Sequence, residues 1–215
     1  IDFSSYAPGT EILLENSAPA PYPGVPGVGV VPKVMKFVVG ANTGHAAAPP
    51  ATLRNVVPLD PANAVVERTL ELRKVEDACG GSAWTINGLH WRDPITERPL
   101  LGTTEIWRFV NRSGMAHPMH LHLSMFQIID RQAFTVVNGE IVPSGPATPP
   151  AAWESGWKDT VLVNAFEIVR VVVPFEDYAG YYPFHCHVLE HEDHDMMRQF
   201  QTQSDMIFGS GFESP

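Results

Sequence analysis

The chain has 215 residues, a formal net charge of −10 and 44% hydrophobic residues, a size that suits one large domain or one domain with part of another. The acidic balance, with no basic cluster to neutralise phosphates, argues against a nucleic-acid-binding protein. No apolar run reaches the roughly 20 residues that a transmembrane helix needs.

Short β-strands dominate the predicted secondary structure. The segments are rich in β-branched and aromatic residues and are bounded by turn residues. They are EILLEN and KVMKFVV near the N-terminus, Thr104 to Val110, Phe126 to Asp130, Thr160 to Val163 and Glu167 to Phe175. In FTVVNGEIV, Asn138-Gly139 separates two apolar runs and predicts a hairpin. The pattern favours an all-β, antiparallel Greek-key sandwich, with one helical candidate from about Leu189 to Met197.

Composition divides the chain into four parts. Residues 1–40 hold two strands around a Pro/Gly-rich run and are too few for an independent sandwich. They are therefore a small subdomain or the end of a preceding domain. Residues 41–64 are rich in Ala, Pro and Asn and predict a linker. Residues 65–205 form the main domain, and residues 206–215 form a tail.

Seven of the nine histidines fall in two short segments, AHPMHLHLSMF and PFHCHVLEHEDHDMMRQF. The second segment also holds Cys186, Met196 and Met197. Packing rarely concentrates histidine in this way, whereas imidazole, thiolate and thioether groups are metal ligands. The two segments therefore predict metal chemistry.

Strand parity sorts these side chains, because successive residues of a strand point to opposite faces. In HPMHLH, His120 and His122 share one face and His117 lies on the other. In YYPFHCHVL, His185 and His187 share one face and Cys186 lies on the other. Two such strands side by side predict two sites, one on each face of a sheet.

The two predicted sites differ in chemistry. The first combines His117 and Cys186 with His191 and Met196 from the following loop. Two imidazoles, a thiolate and a thioether are typical of a blue-copper electron-transfer centre. The second site is all imidazole, with four histidines, and suggests part of a polynuclear copper cluster. Its members are His120, His122, His185 and His187.

Other interpretations remain open at this stage. If residues 187–194 formed one helix, His187, His191 and His194 would lie at i, i+4 and i+7 and could bind zinc. The isolated His45 and His90 are read as hydrogen-bonded structural residues. Cys79 is read as a small apolar residue, although a disulfide with Cys186 is possible if that residue is no ligand. The role of His194 is open.

These motifs resemble those of the multicopper oxidases. HPMHLH is similar to the H-P-x-H-L-H element of their C-terminal cupredoxin domain, and HCHVLEHEDHDM is similar to the H-C-H-x3-H-x4-M element. Together with DPITERPLLGTTEIWRFVN and GWKDT, they most resemble the spore-coat laccase and bilirubin oxidase branch, with phenoxazinone synthase nearby. The resemblance covers about residues 65–203. It also extends to residues 1–40, which it identifies as the end of the middle cupredoxin domain.

The resemblance implies a role for each ligand position. Type 1 copper would be bound by His117, Cys186 and His191, with Met196 as axial ligand. Type 2 copper would be bound by His120, and the type 3 pair by His122, His185 and His187. Cys186 would carry electrons to the cluster through His185 and His187, and Glu192 would supply protons to dioxygen.

The resemblance also implies the reaction and the partners. The family couples one-electron oxidation of phenols, aromatic amines, bilirubin or metal ions to reduction of dioxygen to water, in secreted, periplasmic or spore-coat settings. A full trinuclear cluster needs eight histidines, of which four come from another domain. We therefore expect the chain to be the C-terminal portion of a larger oxidase, unable by itself to reduce dioxygen by four electrons. The alternatives are a separate blue-copper electron carrier and a storage or structural metal-binding module.

Overall fold

The computed structural model describes residues 2–18, 32–41, 44, 50–51, 54–76 and 80–204. The chain divides into two compact units, residues 1–55 and 56–215. The predicted tail, 206–215, and residues 42–43, 45–49 and 52–53 of the predicted linker lie outside the described residues. None of the helices in the described ranges has the length and apolar character of a membrane span.

The first unit contains an antiparallel strand pair. Strands β1 (Glu11–Glu15) and β2 (Lys33–Val38) coincide with the predicted EILLEN and KVMKFVV segments. Lys36 Nζ donates to Glu11 Oε1 at 2.8 Å across the pair, at an exposed position. The Pro/Gly-rich run between the strands lies outside the described residues. The assignment of this unit to a preceding cupredoxin domain stays a prediction.

The second unit contains a larger, six-stranded sheet. Its strands are β3 (Ala64–Glu76), β4 (Ser82–Ile86), β5 (Thr103–Asn111), β7 (Gln127–Val137), β8 (Glu140–Pro143) and β10 (Glu167–Phe175). Their spatial order is β4-β3-β5-β10-β7-β8. Short 3-10 turns occur at Pro61–Asn63 and Ala152–Glu154.

A smaller sheet of four strands carries most of the predicted ligands. Its strands are β6 (His117–Leu121), β9 (Thr160–Val163), β11 (Gly180–Cys186) and β12 (Met197–Thr202). Their order is β12-β11-β6-β9, and all neighbours are antiparallel. One α-helical turn, α1 (Leu189–Glu192), connects β11 to β12.

The two sheets pack face to face around an apolar core. Trp107 of β5 is fully buried, and its ring contacts Phe184 of β11 and Phe200 of β12 at centroid distances of 5.1 and 5.6 Å. Valines of β10 and β9 join the same buried cluster. Apolar residues alternate inward on strands of both sheets, as a sandwich requires. The predicted all-β sandwich is confirmed.

The hairpin prediction is also confirmed. Asn138 and Gly139 connect β7 to β8 and have φ values of 53° and 86°. A two-residue turn with both φ values positive matches the twist of the flanking strands, and Asn-Gly adopts it at low cost. The turn therefore fixes the register of this edge of the sheet.

Two details of the predicted fold were wrong. The sandwich is not wholly antiparallel, because β3 pairs in parallel with β5. The helical candidate from Leu189 to Met197 is helical only over α1. From Met196 onward the backbone bonds to the ligand-bearing strand, since Cys186 N donates to Met196 O at 3.0 Å. Pairing with the sheet therefore replaces the helix.

Candidate metal centre

The pairing of β6 with β11 places the predicted ligands on two faces of one sheet. His120 lies opposite His185, and Met119 lies opposite Cys186. Directly paired residues share a face and the next residues take the other. Met119 and Cys186 are buried in the core, whereas His120 is only partly covered. The sheet therefore separates an inner group of side chains from an outer group.

The inner group consists of His117, Cys186 and His191, all buried. The Nδ1 atoms of the two histidines are 3.1 Å apart. Cys186 Sγ lies 3.6 Å from His117 Nδ1 and 3.7 Å from His191 Nδ1. Three donors at these separations can share one ion at the usual metal–nitrogen and metal–sulfur bond lengths of about 2.0–2.3 Å. Two imidazoles and one thiolate are also a donor set that suits copper.

Burial sets the protonation of this group. Loss of solvent lowers the pKa of His117 to about 3 and raises the pKa of the Cys186 thiol to about 12. Burial also lowers the pKa of His191. The imidazoles are therefore neutral and ready to bind a cation, while the thiol releases its proton when a metal binds.

Met196 lies in the turn after α1. Its side chain is fully buried in the same core cluster as Cys186. Its amide donates to His191 O at 2.9 Å, and its carbonyl accepts from Cys186 N. The backbone of Met196 is thus hydrogen-bonded to both His191 and Cys186.

His117 is oriented by two buried residues that the sequence reasoning missed. Its Nε2–H donates to Ser113 Oγ at 2.8 Å, and Ser113 Oγ donates to Asn111 Oδ1 at 2.7 Å. The Asn111 amide donates in turn to the carbonyls of Met115, Val163 and Asn164. With Nε2 used in this way, Nδ1 is left to face Cys186. The N-x-S-x3-H spacing of NRSGMAH was the available signal.

Trp84 covers the inner group and was also missed. Its ring centroid lies 4.5 Å from that of His191 and 5.1 Å from that of His117. Lys74 Nζ lies 5.4 Å from the indole centroid. Trp84 is half-buried, while His191 is only 4% exposed. The position of Trp84 in strand β4 does not predict this contact, because the contact arises from packing between segments far apart in the chain.

The outer group consists of four histidines around one point of the sheet. The ring of His120 lies within 4.7–5.4 Å, centroid to centroid, of the other three. His122 Nε2 and His185 Nε2 face each other at 3.2 Å. His120 Nδ1–H donates to Asp159 O at 2.9 Å, which leaves Nε2 available as a ligand. The arrangement can bind a cation through several imidazoles at once.

Glu192 lies between the outer histidines and solvent. Its Oε2 is 3.2 Å from His185 Nδ1, and its side chain is 21% exposed. The same His185 Nδ1–H also reaches Cys186 O at 3.1 Å. His185, His187 and Glu192 form a further set of side chains that could hold a metal ion. The predicted carboxylate is therefore next to the outer group.

The remaining predictions have mixed outcomes. The helical zinc site is wrong, because His187 joins the outer group and His191 the inner one. His194 is exposed. His90 is hydrogen-bonded, as predicted, through Nδ1 to Asp195 Oδ2 at 2.7 Å, but it is 31% exposed rather than a core residue. His45 and Cys79 lie outside the described residues.

A sequence profile of the multicopper oxidases matches residues 48–206, a range that includes both groups. The chain belongs to the multicopper oxidase family. Laccase from Bacillus stratosphericus is 41% identical over 210 residues, which cover 92% of this chain and 39% of the laccase. Laccase from Bacillus subtilis (strain 168) is 46% identical over 135 residues, or 61% of this chain and 26% of that protein.

Solved multicopper oxidases share the fold. The 2F4 variant of McoA from the hyperthermophile Aquifex aeolicus aligns with a TM-score of 0.69 at 28% identity, covering 94% of this chain and 43% of that one. The chain thus spans about two fifths of the length of this multicopper oxidase and of the B. stratosphericus laccase. Family membership implies copper, and the His-Cys-His donor set of the inner group fits that metal.

Proposed function

We propose that the chain is the C-terminal part of a laccase-like multicopper oxidase that oxidises a small donor by single electrons and reduces dioxygen to water. The observation that carries this proposal is the pair of ligand groups on opposite faces of the β6–β11 pair. Adjacent residues Cys186 and His185 belong to different groups. The names and greater lengths of the relatives support it.

The inner group is assigned to type 1 copper, with His117, Cys186 and His191 as ligands and Met196 as the axial ligand. His120 is assigned to type 2 copper, and the type 3 pair to His122, His185 and His187. When bound, the type 1 copper supplies one-electron oxidation of the donor and the trinuclear cluster supplies four-electron reduction of dioxygen. The other cluster histidines would come from an N-terminal cupredoxin domain of the whole protein.

The protein connects the two sites by a short covalent route. Cys186 is peptide-bonded to His185 on one side and His187 on the other. The hydrogen bond from His185 Nδ1 to Cys186 O adds a second connection, at 3.1 Å. A route through so few bonds suits electron transfer from the inner site to the outer one. A separate blue-copper carrier has no use for the outer histidines, so this alternative is not favoured.

Glu192 is assigned to proton supply. Its carboxyl group contacts the outer group through His185 and is also reached by solvent. A carboxyl in that position can take a proton from water and hold it beside the site where dioxygen is reduced. Positioned acids contribute on the order of 10²–10⁴-fold to proton-coupled steps.

The donor is assigned to the phenol or aromatic amine class, which the laccase names of the relatives suggest. The half-buried Trp84 indole, tilted by 38° from the His191 ring, offers an aromatic surface beside the inner site. Bilirubin-type and metal-ion donors are the alternatives.

Oxygen uptake with a phenolic donor tests the proposal. The copper-loaded full-length protein is expected to consume one dioxygen for every four one-electron oxidations, without releasing hydrogen peroxide. The 215-residue chain alone is expected to show no sustained turnover. Steady oxygen uptake by this chain alone, or peroxide as the final product of the whole protein, would contradict the assignment.

A further inference from the structure

The backbone at Asp195, immediately before Met196, is held in an unusual conformation. Its φ is 97°, the largest among the five non-glycine residues with positive φ in the described ranges. The other four lie between 53° and 69°, close to the left-handed minimum. Even asparagine and aspartate, which visit positive φ more often than other non-glycine residues, do so mostly at that minimum. An aspartate there requires other contacts that hold it.

Both carboxylate oxygens of Asp195 supply such contacts. Oδ2 accepts from His90 Nδ1–H at 2.7 Å, and Oδ1 accepts from Trp91 N at 2.9 Å. His90 N in turn donates to Asp93 Oδ2 at 2.7 Å. Asp195 is thereby hydrogen-bonded to the loop of residues 90–94, which lies between β4 and β5.

Arg198, which follows Met196 in the chain, is hydrogen-bonded to the same loop. Its side chain is only 1% exposed. It donates to the carbonyls of His90, Asp93 and Pro94. The residues one before and two after Met196 are therefore both bonded to one loop. Met196 therefore lies on a segment that is hydrogen-bonded to this loop on both sides of the residue.

We infer that Asp195 and His90 position the Met196 thioether, so that they set the strength of axial ligation at the inner site. This inference rests on the proposed type 1 assignment. The axial ligand tunes the potential of such a copper site, and contacts beyond the ligands orient them. The strained backbone is retained because the two hydrogen bonds hold the turn in the shape that presents Met196 to the site.

The test uses the copper-loaded full-length protein and two matched pairs of variants. Asp195→Gly removes both bonds and relaxes the backbone. Asp195→Asn can keep two bonds, because its amide oxygen accepts from Trp91 N–H and its amide nitrogen donates to His90 Nδ1 in the tautomer that carries the ring proton on Nε2. His90→Phe removes the ring donor, whereas His90→Gln can replace it. Asp193→Asn, at an exposed acid two residues earlier, is the control for a change of charge.

The readouts are the type 1 electron paramagnetic resonance and visible spectra, and the ratio of reduced to oxidised copper at a fixed mediator potential. If the turn is less rigid, the Met196 thioether can move away from the copper. It would then donate less electron density to oxidised copper, which stabilises the reduced state. In Asp195→Gly and His90→Phe we expect altered spectra and at least a threefold shift of that ratio toward reduced copper. Asp195→Asn, His90→Gln and Asp193→Asn should match the wild type.

A purely structural role predicts a different result. Thermal stability or copper content would then fall in Asp195→Gly and His90→Phe, while the spectra and the ratio in loaded protein stayed unchanged. That result would overturn the inference, and either variant suffices if the other does not fold. A wild-type protein without a type 1 signal would instead overturn the proposed function.

Discussion

His185 and Cys186 are adjacent in the chain, yet His185 faces the outer histidines while Cys186 faces His117 and His191 in the core. The alternation of a β-strand produces this separation without any irregularity in the backbone. Two groups of side chains with different chemistry are therefore joined by one peptide bond.

Ser113 is predicted to support copper binding at the inner site. Ser113→Ala leaves the buried Nε2–H of His117 without an acceptor. Leaving such a group unsatisfied costs about 1–3 kcal/mol, and loss of a contact that orients a ligand weakens metal binding by about 10–100-fold. Copper competition titrations and denaturant unfolding measure the two effects.

The matched control for this variant is Ser155→Ala, which removes a hydroxyl that donates to Ala152 O at an exposed position. It should change neither copper affinity nor stability appreciably. Equal copper affinity in Ser113→Ala and the wild type would contradict the role assigned to Ser113.

Trp84 is predicted to receive aromatic donors. Trp84→Leu removes the ring that lies 4.5 Å from His191. Aromatic pairs contribute about 0.5–1.5 kcal/mol, so KM for a planar phenol should rise about 2- to 10-fold. Trp84→Phe should lose less.

Steady-state kinetics with the phenol and with ferrocyanide distinguish an effect of Trp84 on donor binding from an effect on the copper potential. The inorganic donor does not stack, so its KM should stay the same in Trp84→Leu. An equal rise in KM for both donors would show that Trp84 acts on the copper site and not on the donor.

Glu192 is predicted to supply protons and not to bind copper. Glu192→Gln keeps an oxygen acceptor for His185 but cannot ionise. Oxygen uptake should fall on the order of 10²–10⁴-fold, while the type 1 spectrum and the copper count stay unchanged. Glu190→Gln, at an exposed neighbour, should retain wild-type turnover. A lower copper count in Glu192→Gln would mean that the carboxylate is a ligand.

Acid is predicted to destabilise the chain without bound copper. Burial lowers the pKa of His117 from 6.5 to about 3. Below about pH 6.5 the unfolded chain binds a proton there and the native chain does not, so stability falls as pH drops toward about 3. The slope reaches about 1.4 kcal/mol per pH unit for this group.

Urea unfolding from about pH 7 down to about pH 4 measures that slope. His120, His122 and His191, whose pKa values are also lowered by burial, act in the same direction. His117→Leu should show a shallower slope, because one such group is absent. An unchanged slope would mean that His117 is protonated in the native chain.

The sequence was sufficient to predict those features of the fold and the candidate site that depend on interactions between residues close together in the chain. Strands Thr160–Val163 and Glu167–Phe175 have the predicted bounds, because β-branched runs between turn residues act over a few positions. Parity alone predicted which ligands share a face, because the side-chain period of a strand is fixed. The Asn138-Gly139 turn was predicted for the same local reason.

The sequence was insufficient to predict features that arise from contacts between segments far apart in the chain. The parallel pairing of β3 with β5 depends on a long connection that no local pattern reports. Trp84 and the Asp195–His90 contact come from loops and strands far apart in the chain. The predicted helix was too long because pairing of Met196 with Cys186 outweighs local helical preference.

The central claim is that His117, Cys186 and His191, with Met196, form a type 1 copper site. It is tested most directly by the visible and paramagnetic resonance spectra of the copper-loaded full-length protein and its Cys186→Ser variant. We predict an intense blue band from about one copper per chain, absent from Cys186→Ser although that variant still binds copper at the outer histidines. A colourless wild-type protein, or a blue band that survives in Cys186→Ser, would contradict the claim.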